Sequence, residues 1–260
     1  MGNSFLMEHF ELLYNIENPN KFGKDTVGSL NSSHNLSLYY VLDGHSKHPK
    51  SSILVSKFQE YISLFADEFQ ELEPVDSEIV DFLRKILTDF HLKYQRTLIP
   101  GAMSIIIAVF TSSKVITAHL GDCRLGKISG NDISWLTMPH NLAMLYLDKS
   151  LDIEIQLKTC EFNHIVTRSL NTKTLKEIEF NSFNLESCQY LLVSDGIWKL
   201  ENENILSLIH LKEQYFSLIP NIEDDMTLTI IDCTSEEFRY KKPRHPVGVF
   251  RIWCLSVTPV

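Results

Sequence analysis

The stretch LSLYYVLDGH, residues 36–45, decides how the rest of the chain is read. Leu36 to Leu42 is a short run of aromatic and aliphatic residues that ends at the turn dipeptide Asp43-Gly44, the pattern of a buried strand emptying into a loop. That loop sets a carboxylate and then an imidazole, His45, at the strand's mouth. Downstream, Pro49 suits a first helical turn, and Leu54, Phe58, Tyr61, Ile62 and Phe65 recur at helical spacing. Asp76 is placed as the N-cap of a second helix whose stripe is Ile79, Leu83, Ile86, Phe90 and Tyr94. From Ala102 the period shortens. Ser104 to Phe110, Val115 to Leu120, Leu125 to Ile128 and Ile133 to Leu136 are predicted as antiparallel strands joined by tight turns. Tyr190 to Ser194 is a further strand, Ile205 to Ile209 a helix, and Met226 to Cys233 a strand with Asp224 and Asp225 at its mouth. Strand, helices, then a meander give an α+β layered domain.

Composition bounds the function. A net charge of -9 over 260 residues excludes the basic face that nucleic acid requires. Cys123, Cys160, Cys188, Cys233 and Cys254 are scattered without a C-x-x-C pair, so neither a disulfide framework nor a thiolate zinc site is expected. No apolar run approaches the roughly 20 residues of a membrane helix, and no signal peptide is visible. The expectation is a monomeric protein of the cytoplasm or nucleus, with Gly2 in a partial acylation motif. Arg239 to His245 is basic and reads as an exposed connector or a docking site for an anionic partner, leading to a last strand near Val249 to Val257. The expected division is an N-terminal segment at 1–19, a domain at 20–235, and a connector with an added strand at 236–260 packed on that domain.

Four strand-end motifs occur in one order: Asp43-Gly44-His45, Gly121-Asp122-Cys123-Arg124, Ser194-Asp195-Gly196-Ile197-Trp198, and Asp224-Asp225-Met226-Thr227. Each alone is a weak signal. Together they resemble the PP2C-like (PPM) metal-dependent serine/threonine phosphatases, as do Gly101-Ala102-Met103-Ser104, Leu136 to His140 and Thr167-Arg168-Ser169-Leu170. The resemblance spans roughly residues 20 to 233 and implies a four-layer αββα sandwich, two antiparallel sheets flanked by helices. It also implies two Mn2+ or Mg2+ ions, with Asp43 bridging them, the Gly44 carbonyl, Asp195 and Asp224 completing the set, and Asp25 and Asp122 as further carboxylate positions. His45 would protonate the leaving alkoxide, and the substrate would be a phosphoprotein. Phosphomonoester hydrolysis of this kind needs hard oxygen ligands and a water activated by the cations.

The pattern also breaks. Asn20-Lys21-Phe22-Gly23-Lys24-Asp25 keeps Asp25 but has Lys24 for an acid or amide and Asn20 for a phosphate-holding Arg, with Lys21 as a stand-in that lacks the guanidinium fork. Lys199 stands where many members have an Asp. An ammonium about 6 Å from a divalent ion would repel it by about 1 to 5 kcal/mol, unless the side chain swings into solvent. Two readings remain open: a phosphatase acting on phosphoserine or phosphothreonine, or an impaired relative that binds a protein or phosphopeptide partner. Arg124 and Arg168 are read as structural ion-pair partners or as phosphate ligands.

Overall fold

The computed structural model describes residues 24–48, 50–95, 101–211 and 225–234, with two further backbone strands at 11–16 and 250–252. Gly2, Asn20, Lys21, Pro49, Asp224 and the 239–245 connector lie outside the described residues. The chain order is β1 (Glu11–Ile16), β2 (Asp25–Asn31), β3 (Ser37–Gly44), α1 (Ser51–Ser63), α2 (Ala66–Gln70), α3 (Asp76–Tyr94), β4 (Ala102–Phe110), β5 (Lys114–Leu120), β6 (Arg124–Ser129) and β7 (Asp132–Trp135). Then come α4 (Ile153–Thr159), β8 (Leu170–Asn171), β9 (Glu179–Asn184), β10 (Gln189–Val193), α5 (Asp195–Trp198), α6 (Asn202–Leu211), β11 (Met226–Asp232) and β12 (Phe250–Ile252).

Two sheets form. The first has the order β12-β1-β11-β10-β6-β7 and the second β2-β3-β4-β5-β9, with β8 beside β4. All ladders are antiparallel except the outer β1–β12 pair. Strand alternation then sorts the side chains into layers. Leu38, Tyr40 and Leu42 of β3 pack with Leu54, Phe58, Leu83 and Phe90 of α1 and α3 on one outer face. Leu191 and Val193 of β10 pack with Ile205 and Leu208 of α6 on the other. Val27, Tyr39, Val41, Leu125, Tyr190 and Leu192 fill the space between the sheets. The result is the αββα sandwich.

Two expectations change in detail. Asp76 does not cap α3: the N-cap is Val75, and Asp76 is the first helical residue. Its carboxylate instead pairs with the Lys114 ammonium, while still complementing the positive end of the helix. The expected meander is also split between sheets. β4 and β5 pair in the second sheet and β6 and β7 in the first, with the crossing at Gly121-Asp122-Cys123. Gly121 makes the crossing possible: its φ is +111°, and a Cβ there would lie 2.3 Å from the Ser104 side chain.

Candidate active site

The two sheets come together at the mouths of β2, β3, β10 and β11. On β2 and β3, Asp25 faces Asp43 directly across the antiparallel ladder. By alternation both belong to the same face as Val27 and Val41, the face between the sheets. The Gly44 amide donates to the Lys24 carbonyl at 3.1 Å, closing this end of the pair. From the first sheet, β10 runs into Ser194 and Asp195 at the start of α5, and Asp225 lies just before β11. Ser194 is locked to β11 through its amide, which donates to the Thr227 carbonyl, and its hydroxyl, which accepts from the Thr227 amide, both at 3.0 Å. A Cβ on Gly196 would sit 2.2 Å from the Asp225 carbonyl oxygen. Glycine there is what lets α5 approach Asp225.

Asp25 is buried between the sheets, within electrostatic reach of Ser194 and Asp43. Burial holds its carboxyl well above the usual range, and the charges of Asp225 and Asp195 push the same way. Cys123, fully buried nearby, has its thiol raised first by burial and then by Asp43, Asp122, Asp25 and Asp195. That common influence marks the carboxylates as one cluster. Asp225 is the member that sequence reading undervalued; its signal was its position beside Asp224 at a strand mouth.

Asp122 sits at the sheet crossing, 2% exposed. Its backbone carbonyl accepts from the Trp198 indole at 2.7 Å. Its carboxylate accepts from the Ser104 hydroxyl at 2.6 Å, and the Ser104 oxygen lies 3.1 Å from His45 Nε2. Burial, then the charge of Asp195, push Asp122 up to about 7, against the opposing pull of Lys199. His45 is half-buried, its amide donating to the Ala102 carbonyl at 3.0 Å. Loss of solvent pulls its titration down to about 4, against the favourable charge of Asp195. The resemblance gave His45 a role because imidazole titrates near neutrality; in its actual surroundings the ring is neutral there. Ser104 was missed as a link in this chain, since a hydroxyl inside a buried strand carries no pattern of its own.

Lys199, one helical turn after Asp195, forms an ion pair with the Asp195 carboxylate and lies over the Trp198 ring, 5.5 Å from its centroid. Its ammonium is turned into the cluster. Arg124 is a structural pair: fully buried, it makes bonds of 2.7 and 2.9 Å to the Glu154 carboxylate and 2.9 Å to the Thr137 carbonyl. It lies between the Trp135 and Trp198 rings.

The two-sheet sandwich flanked by helices is the PP2C-like architecture. Serine/threonine phosphatase Stp1 from Staphylococcus aureus superposes with a TM-score of 0.70 at 16% identity, over 85% of this chain and 94% of that one. The Mycobacterium tuberculosis phosphatase PstP/Ppp gives 0.68 at 15% identity, over 87% and 99%. The protein phosphatase PhpP of Streptococcus pneumoniae is 28% identical over 123 residues, 47% of this chain and 48% of PhpP, so the chain spans about half the length of the curated relatives it matches. No family model matches. The chain has the fold of these solved serine/threonine phosphatases, the PP2C-like sandwich. Among the described residues no helix is long and apolar enough to cross a membrane.

Proposed function

We propose that the chain is a metal-dependent phosphatase acting on phosphoserine and phosphothreonine in proteins. The observation that carries this reading is the gathering of Asp25, Asp43, Asp195 and Asp225 at the seam, where burial first and then the charges of Asp225 and Asp195 raise Asp25. Such a cluster is relieved by hard divalent cations, and its all-oxygen donor set suits Mn2+ or Mg2+. Asp43, the Gly44 carbonyl, Asp195 and Asp224 would hold the ions, with Asp25 and Asp122 beside them. Bound there, the cations would supply a nucleophile from water at neutral pH and a positive clamp for the phosphoryl group. The names of Stp1, PstP and PhpP, all protein phosphatases, support the substrate class.

The residues of the chain supply proton handling. With Asp122 ionised, the Ser104 hydroxyl points at it, so His45 keeps its single proton on Nε2, donating to Ser104. With Asp122 protonated, both bonds reverse and the His45 proton moves to Nδ1, free of Ser104; as Nδ1 gives that proton to a leaving alkoxide, Nε2 takes one from Ser104 and Ser104 takes one from Asp122, so the ring stays neutral. Burial raises Asp122 to about 7 in the metal-free chain, which brings both states within reach near neutral pH there, and cations bound beside it would favour the ionised one. Lys199 acts in the opposite sense to a cofactor residue: its ammonium competes with a divalent ion for Asp195. The expected phenotype is therefore turnover that needs high metal concentration.

The test is hydrolysis of an aryl phosphate and of a phosphothreonine peptide in millimolar manganese. Turnover that disappears in Asp195→Asn is expected; a folded chain with no manganese-dependent turnover refutes the reading.

A further inference from the structure

A second polar cluster lies between the sheets, made of residues the carboxylate site does not use. His119 is on the same face of β5 as Val115, which packs between the sheets. Directly opposite it across the ladder is Glu179 of β9. His140, in the segment after β7, stacks on His119 with ring centroids 4.4 Å apart and planes at 20°. One potential ligand atom from each of the three lies within 4.8 Å of the other two.

The bonding is uneven. His140 is fixed: its amide donates to the Gly121 carbonyl at 2.8 Å, its Nδ1 accepts from the Gly121 amide at 3.1 Å, and its Nε2 is 2.8 Å from the Glu179 carboxylate. His119 is the opposite. It is wholly buried; the Cys123 backbone is close enough to influence the ring, but neither ring nitrogen makes a hydrogen bond of good geometry to it or to any other group. Burial of an imidazole with both nitrogens unsatisfied is costly, and here it occurs beside a second imidazole and a carboxylate. Burial and the neighbouring His140 keep the His119 ring neutral, the form that binds metal.

We infer that His119, His140 and Glu179 form a site for a zinc-class divalent ion, separate from the carboxylate cluster. Two imidazoles and one carboxylate are a zinc donor set with a fourth position open, whereas magnesium and manganese prefer oxygen. The ion takes the place of the proton on His140 Nε2. That proton moves to Nδ1, so the His140 ring must turn away from the Gly121 amide and out of its stack on His119 for both imidazole lone pairs to converge on one ion, and no proton is released overall. Glu179 favours the cation. Arg124 and Arg168 oppose it, but Arg124 is already paired with Glu154. The ion would pin β5 and the β9 edge to the segment after β7, next to the Gly121-Asp122 crossing. This inference is independent of the phosphatase reading.

The experiment strips the 260-residue chain with chelator, loads it with zinc in excess magnesium, dialyses it and measures retained metal, with the cobalt(II) spectrum as a report on ligand type. Wild type and Asp43→Asn are each expected to retain one zinc per chain, with a rise in melting temperature. Glu179→Gln is expected to bind at least about tenfold more weakly, and His119→Leu to retain none. Glu179 is one-third exposed at a sheet edge, so its variant and the cobalt spectrum decide the matter if His119→Leu does not fold. No retained zinc in wild type, zinc lost in Asp43→Asn, or equal retention in Glu179→Gln overturns the site.

Discussion

The carboxylates around Asp25 and the imidazoles of His119 and His140 are both polar groups enclosed where the sheets meet, and they bear burial differently. The carboxylates are charged and crowded. Their repulsion is eased from within by Lys199 at Asp195 and by the raised proton affinity of Asp25 and Asp122. The imidazoles stay neutral and avoid the charge problem, but His119 is left without hydrogen bonds. One cluster has excess charge that cations neutralise; the other has unused lone pairs that a cation can fill. The two should therefore differ in metal preference, in pH response and in what happens when one member is removed.

The largest effect is expected from Asp43→Asn. Assayed with an aryl phosphate in manganese, it should lose about a hundredfold or more in kcat, while zinc retention at the imidazoles is unchanged. Parallel loss of both would merge the two clusters into one.

The next effect is on pH dependence, measured in chelator. Asp122 titrates near 3.8 when exposed and at about 7 when folded, so between those values the folded chain holds a proton that the unfolded chain has released. Stability from this group is present below pH 4 and is lost as pH rises to 7. Relative to Asp122→Asn, wild type should lose up to about 3 kcal/mol across that window. His45, lowered to about 4 from 6.5, acts in the reverse direction, gaining stability as pH rises through the same range. Denaturant melts of Asp122→Asn and His45→Gln separate the two; a wild-type profile matching Asp122→Asn would contradict the assignment.

Smaller again is Lys199→Met, expected to lower stability in chelator by about 1 to 2 kcal/mol, less than a fully buried pair because both partners keep some solvent. Manganese should restore the loss. His119→Leu, by contrast, removes an unsatisfied polar group and should change stability in chelator by no more than about 1 kcal/mol. If the lysine variant is neutral and the histidine variant is severely destabilised, the contrast between the clusters fails.

The frame of this arrangement was readable because its parts are punctuated. The run before Asp43-Gly44, the apolar β10 before Ser194-Asp195 and the helical stripes of α1 and α3 each show a periodicity that ends at a turn residue. β2 was not anticipated, since DTVGSLN has no sustained apolar run, and neither was β9, whose residues EFNSFN lie half-exposed at a sheet edge. The split of the meander depended on Gly121 adopting positive φ, which sequence does not announce. At the site, the strand-end positions of Asp25, Asp43 and Asp195 were legible, whereas Asp225 was passed over for Asp224, which lies outside the described residues. The Ser104 link and the stacking of His119 on His140 were not, because each joins residues far apart in the chain, and the inward turn of Lys199 was not, because its spacing from Asp195 leaves the long side chain equally able to reach solvent.

Calorimetric titration with manganese of wild type, Lys199→Asp and Asp43→Asn most directly tests whether the strand-mouth carboxylates are a metal site restrained by an internal cation. Binding in wild type, at least about tenfold tighter in Lys199→Asp and absent in Asp43→Asn, is the predicted result. No binding in wild type or Lys199→Asp, with both chains folded, would contradict it.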